Sequence, residues 1–228
     1  MDHYLYFILS LILLFLWGMI FWLRADLRKK MIRASSIGGV AGILAELWYF
    51  TDYWKPPTLF GIASISPEDF IVGFAITGIA MTAYDIVMHT TDRAGERPRQ
   101  RAFLMLFLGG LFSLLIFGTG MKLNSCIVSE AAFIGAALIM CILRPDLLKV
   151  SLLSGVLLGI LGFILYFFLF SWLAPEFWQT YWLLAGTRLG ITIAGVPVTE
   201  IAWYASWGML AGIAHNFAAG KKKKPLRN

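Results

Sequence analysis

The sequence predicts an all-α integral membrane protein of seven transmembrane helices, built as two parallel three-helix units joined by a linker helix. Three observations predict it. Hydrophobic residues make up 59% of the chain and charged residues only 14%, where a soluble domain carries about a quarter charged residues. Apolar runs long enough to span a bilayer recur along the whole length. The basic residues between those runs alternate sharply from one loop to the next.

The runs place the spans at Tyr4 to Leu23, Ser36 to Thr51, Pro67 to Met88, Ala102 to Met121, Cys126 to Leu143, Leu148 to Leu173 and Pro197 to Phe217. The first run is preceded by an acid and reaches about 20 residues, which reads as a transmembrane helix and not a cleaved signal. The second is the shortest and most polar. The sixth ends in an interfacial Phe170-Ser171-Trp172. Residues 1–90 make the first unit, 91–123 the linker helix with its loop, and 124–228 the second unit.

One set of alternate loops holds Arg24, Arg28, Lys29, Lys30 and Arg33, then Arg93, Arg97, Arg99 and Arg101, then Arg144 and Lys149, then Lys221 to Lys224 and Arg227. Those are 16 of the 19 basic residues; the other set has only Lys55, Lys122 and Arg188. Positive loops stay in the cytoplasm, so the N-terminus is expected outside and the C-terminus inside the cytoplasmic membrane. The net charge of +6 therefore belongs to the loops and does not indicate nucleic acid. The Lys221 to Lys224 run reads as a contact with anionic lipid headgroups or a topology signal.

Two motifs then fall on the same, outer side. Ser66-Pro67-Glu68-Asp69-Phe70 opens the third span and Pro197-Val198-Thr199-Glu200 opens the seventh. Proline and an acid in a first turn also cap a helix and complement its dipole. Their recurrence after aromatic-rich, Gly-punctuated loops, four spans apart, points beyond capping to a repeat with a shared site. Ionisable groups in membrane spans mark functional sites by default. The pairs Gly38 and Gly42, Gly155 and Gly159, and Gly208 and Gly212 have the spacing of close helix packing.

Span two adds Glu46, about two turns inside the membrane, on one face with Tyr49, Phe50 and Tyr53, while Trp48 and Asp52 share another face. On span seven Glu200, Trp203 and Trp207 share a face. An acid above a ladder of indoles suits an apolar, electron-rich substrate that passes through a carbocation, because aromatic faces attract positive charge. Packing or lipid-facing tryptophan is the alternative for Trp207, and an interfacial belt is expected for Trp54, Trp178 and Trp182. Asp85 and His89, four apart, form a polar pair at a helix end, and Glu130 joins the outer acids. His3, His89 and His215 are scattered, no Cys/His cluster or GxGxxG strand–helix motif occurs, and neither a metal nor a cofactor is expected. Cys126 and Cys141 lie about 22 Å apart along one helix, too far for a disulfide.

These residues resemble the integral-membrane lycopene cyclase domain family of carotenoid synthesis, whose paired three-helix units carry a Pro-x-Glu-Glu/Asp motif at the start of each third helix. Ser66 stands where the first motif would have proline, and Thr199 replaces the first acid of the second. Glu68 thus corresponds to Thr199, and Asp69 to Glu200. The resemblance implies a redox-neutral isomerisation that cyclises the end group of a linear, lycopene-like polyene. Glu68, Asp69 and Glu200 would be catalytic, and Glu46, Trp48, Asp52, Trp203 and Trp207 would bind substrate. The expected partners are an apolar polyene within the bilayer and membrane lipids, with a homo-oligomer allowed. A parallel-repeat transporter of a small solute or lipid is the alternative, although the Pro-Gln pair of small sugar-efflux carriers is missing. A non-catalytic membrane subunit of the same fold is another.

Overall fold

The computed structural model describes residues 2–61 and 65–226. Its helices are α1 (Leu5–Leu23), α2 (Arg28–Asp52), α3 (Pro67–Val87), α4 (Gln100–Ser113), α5 (Ser125–Leu143), α6 (Leu148–Tyr166), the short α7 (Phe177–Tyr181) and α8 (Val198–Ala219). Helix α4 continues as a π-helix over Leu114–Gly120, and α6 over Phe167–Trp172. Five helices, α1, α3, α4, α5 and α6, are long and apolar enough to cross a membrane. Helix α2 begins at Arg28, eight residues before the expected span, and does not meet that composition because even its apolar part carries Ser35, Ser36, Gly38, Gly39, Gly42 and Glu46. Helix α8 is diluted by Glu200, His215 and Asn216. The protein is thus a helical membrane protein.

Glycine sets how closely the central helices approach. A methyl group on Gly42 of α2 would stand 2.6 Å from the carbonyl oxygen of Asp69 and 3.2 Å from the Cα of Gly73, both on α3. One on Gly208 of α8 would stand 2.6 Å from the Ser154 carbonyl of α6. With little hydrophobic drive between helices in lipid, this backbone-to-backbone contact is what packs them. The two close pairs, α2 with α3 and α6 with α8, flank the centre, where α3 meets α8.

At the basic-rich end the same turn occurs twice. Arg24 holds Asp26 through two parallel hydrogen bonds of 2.9 and 3.0 Å and donates to the carbonyls of Asp85 and Thr90. Arg144 holds Asp146 at 2.7 and 2.7 Å and donates to the carbonyls of Asn216 and Lys221. Each guanidinium fastens the reversal after one helix to the C-terminal end of another, satisfying carbonyls that a helix end leaves open.

The same end is closed by a ribbon. Strand β1 (Thr90–Ala94) pairs antiparallel with β4 (Lys221–Pro225), Asp92 lying opposite Lys223. A left-handed Gly220, at φ 65°, turns the chain from α8 into β4. Lys223 bonds Asp85 at 2.8 Å and Asp92 at 2.9 Å. Lys30 bonds both acids as well. Asn216 donates to Asp92 at 2.9 Å, and Lys222 pairs with Glu96 at 2.7 Å. Two lysines of the basic run therefore have protein partners, which corrects its reading as a lipid-contacting tract; Arg227 lies outside the described residues. Asp85 also accepts from Thr90 at 2.6 Å, so its partners are these and not His89, which is exposed at φ 47°.

Burial opposes ionisation of Asp92, but Lys30, Lys223 and the Asn216 amide outweigh it and hold its carboxyl far below the usual range. The folded protein therefore binds that proton less tightly than the unfolded chain. Its contribution to stability is complete above about pH 4 and shrinks as pH falls through the depressed value. Asp92→Asn is expected to cost about 3–5 kcal/mol at neutral pH, the usual result of breaking one side of a buried ion pair. Thermal unfolding of the detergent-solubilised protein measures it, and the gap from wild type should narrow below pH 4.

Candidate active site

At the end opposite the ribbon, α1, α2, α3, α6 and α8 enclose a cavity of about 70 Å³. Three carboxylates from three helices line it: Glu46 of α2, Asp69 of α3 and Glu200 of α8. They are 7%, 5% and 3% exposed, and none forms an ion pair among the described residues.

Asp69 is positioned by the start of its helix. Ser66 caps α3 and Pro67 begins it; the Ser66 amide and hydroxyl donate to Asp69 Oδ2 at 2.8 and 2.9 Å, and Ser66 Oγ accepts from the Asp69 amide at 3.3 Å. This reciprocal box satisfies the first turn. The other oxygen, Oδ1, accepts from the Tyr6 hydroxyl at 2.7 Å. Glu200 lies in the first turn of α8, whose preceding Pro197 gives no side-chain cap. Its Oε1 has no hydrogen-bond partner, and the phenols of Tyr53 and Tyr166 are within electrostatic reach. Glu46 sits on α2 three residues before Tyr49, and its Oε2 has no partner either.

The remaining wall is aromatic and aliphatic: Tyr49, Tyr53, Trp54, Trp203 and Tyr204 join Val72, Ile76 and the glycines Gly42 and Gly73. Trp203 Nε1 donates to the Tyr49 hydroxyl at 2.8 Å, and Tyr49 donates to Ser129 of α5 at 2.7 Å. The indole of Trp203 is thereby tied to two other helices. Tyr166 and Tyr204 pack edge to face at 5.2 Å.

Beside the cavity, the segment after α2 is joined to the segment after α7. Lys55 N donates to Tyr181 O and Leu183 N to Tyr53 O, both at 2.8 Å, around a Trp54–Trp182 bridge. Trp54, Trp178 and Trp182 are buried. Only Trp54 reaches the cavity wall, and the burial of all three corrects their assignment to an interfacial belt.

Of the eight residues singled out from sequence, Glu46, Asp69, Glu200 and Trp203 come together. The other four do not line the cavity. Glu68 is buried but accepts from the Leu59 amide at 2.6 Å, on the loop side of its helix. Trp48 donates to Thr119 at 3.0 Å. Asp52 accepts from the Ser125 amide and hydroxyl at 2.8 and 2.5 Å and caps α5. Trp207 stacks on Trp203, ring centroids 6.2 Å apart, with Phe133 at 5.0 Å on its other side, one turn deeper than the lining. Glu130 accepts a thiol bond from Cys126 within its own helix. Sequence reading missed Tyr6, Tyr166 and Tyr204. The four-residue step from Glu200 to Tyr204 was available as a signal for the last of them.

Comparison with known families bears on the second half of the chain. A family model described as lycopene cyclase matches residues 124–218. This segment is similar to the lycopene cyclase family over fewer than half of the chain's residues. It runs from the Asn124 cap of α5 almost to the end of α8 and supplies Tyr166, Glu200, Trp203 and Tyr204 to the cavity. Neither the curated proteins nor the solved structures give a match. Glu46 and Asp69 come from outside the lycopene cyclase segment, so the cavity joins it to the first half of the chain.

Closeness of α2 to α3 is what aims Glu46 and Asp69 at one space. Gly42→Ala puts its methyl against a helix backbone that cannot give. It is expected to destabilise the protein by about 1–3 kcal/mol, against the gain of about 0.5–1 kcal/mol usual for Gly→Ala in a helix. Gly109→Ala on α4, where nothing lies within 4 Å, should show no loss. Melting temperatures of the two variants in one detergent decide it.

Proposed function

We propose that the protein is a membrane isomerase that cyclises the end group of a linear, lycopene-like carotenoid by acid/base carbocation chemistry. The observation that carries this reading is the convergence of Asp69 and Glu200, from the two motifs, on one buried, aromatic-walled cavity. The reaction is redox-neutral and needs one group that gives a proton and one that takes it.

The surroundings divide these roles. Three donors converge on Asp69, which favours its carboxylate form and makes it the base. Glu200, buried with an oxygen that receives no donor, is best accommodated as the neutral acid. Glu200 protonates the terminal alkene, giving a tertiary cation. A nearby double bond attacks that cation and closes the ring, and Asp69 removes a ring proton to leave a new double bond. The faces of Trp203, Tyr166 and Tyr204 stabilise the positive charge in between. At about 70 Å³ the cavity is well under the 300–1,000 Å³ or so of ligand clefts. Admitting the end group therefore requires the wall to part. Glu68 lies outside the cavity lining, so the chemistry is assigned to Asp69 and Glu200.

The same reading holds that seven helices span the membrane as two parallel copies, residues 1–90 and 124–228, with 91–123 between. Supporting it, Arg24 and Arg144 hold equivalent turns and reach carbonyls with the same five-residue spacing, Asp85 with Thr90 and Asn216 with Lys221. A two-fold axis through the Asp92–Lys223 pair would map each strand of the ribbon on the other. The basic-rich end is the cytoplasmic one. Cysteines placed in the loop containing Arg93 and Arg101 should label only from inside; labelling from outside intact cells would reject this orientation.

Glu200→Gln is expected to lower conversion of a linear carotene by about 10²- to 10⁴-fold, the usual worth of a general acid, at unchanged membrane levels. Gln keeps shape and helix-start hydrogen bonding, so a capping role alone would leave conversion within a few-fold of wild type. Pigment analysis in a lycopene-accumulating host reads the difference.

A further inference from the structure

Resting on the cyclase reading, one requirement of the chemistry is left over. Each ring closure leaves Glu200 as a carboxylate and Asp69 with the proton it removed. The next substrate needs the opposite arrangement. Net protons are conserved, so one proton must pass from Asp69 to Glu200 in every cycle, within a cavity whose three acids are buried.

Neither motif supplies a route. Asp69 is enclosed by Ser66 and Tyr6, and Glu200 faces the phenols of Tyr53 and Tyr166. The one other ionisable carboxyl on the wall is Glu46. It is 7% exposed, its Oε2 has no partner, and it lines the same cavity as Asp69 and Glu200. A buried, unpaired carboxyl oxygen is costly in an apolar helix. Nothing on α2 uses it structurally, whereas Asp52, two turns on, caps α5. The cavity volume leaves room for bridging water among polar groups.

We propose that Glu46 is the proton carrier that resets the pair between turnovers. It gives its proton to the Glu200 carboxylate, forming the Glu200 O–H bond, and takes the proton held by Asp69, whose O–H bond breaks. All three groups then stand as they began, with no oxidant, cofactor or net proton from solution. The substrate's two proton transfers stay with Glu200 and Asp69, and Glu46 acts only through them.

The test is rapid-quench kinetics of the full-length protein in lipid nanodiscs with a linear carotene, comparing wild type with Glu46→Gln. The expected result is a first ring closed at close to the wild-type rate, about one per protein, followed by a steady state slowed by about 10²-fold. Glu46→Ala should show the same burst, with its steady state restored by formate, which can fill the vacated space and carry a proton. A structural role would produce neither the burst nor the rescue. A Glu46→Gln steady state within a few-fold of wild type overturns the relay, and so does loss of the first ring. If the wild type closes no ring, the cyclase reading fails on its own. The relay is then judged by infrared spectroscopy, with carboxyl bands assigned from Asp69→Asn and Glu200→Gln. Glu46→Gln should shift both bands, and leaving both unchanged overturns it.

Discussion

In a membrane an ionisable side chain has no water to fall back on and must find a partner, a proton or a polar cavity. The protein meets that constraint in opposite ways at its two ends. At the basic-rich end Asp26, Asp85, Asp92, Glu96 and Asp146 are all ion-paired. At the other end Glu46, Asp69 and Glu200 share a cavity with tyrosine, serine and indole and have no cation among the described residues. The first arrangement is one of fastening; the second leaves acids whose protons can move. The contrast locates the site more securely than any single residue does.

Backbone contact makes that contrast geometrically stable. Gly42 lets α2 lie against the start of α3, and Gly208 lets α8 lie against α6. The acids are carried on these tightly seated helices, not on loops, and each is aimed by a rigid first or last segment. Tyr49 then ties Trp203 across to α5. A wall built this way holds its aromatic faces in fixed positions beside the acids.

Much of this was legible in the sequence, for identifiable reasons. Asp69 and Glu200 were readable because a proline and an acid at the mouth of an apolar run leave a local mark. Glu46 was readable from its depth within a span. The tyrosines were not. Tyr6 and Tyr166 stand near helix ends, where tyrosine is ordinary in any membrane protein, and only the meeting of α1 with α3 and of α6 with α8 gives them a role. The buried tryptophans Trp54, Trp178 and Trp182 misled for the same reason. Asp85 was matched to His89 because they are close in sequence, while its true partners, Lys30 and Lys223, lie 55 and 138 residues away. Glu68 and Asp69 are adjacent, yet a helix turns neighbouring side chains about 100° apart, so only one of them can face the centre.

The ribbon bears on the order in which the protein can be made. Lys223 follows every helix in the chain, so while the earlier helices enter the bilayer Asp85 and Asp92 have Lys30 alone to share. The second lysine arrives only when α8 has been inserted and Gly220 has turned the chain back. Until then the two halves can touch but not latch. The latch at this end is therefore complete only once the strand that follows α8 is in place.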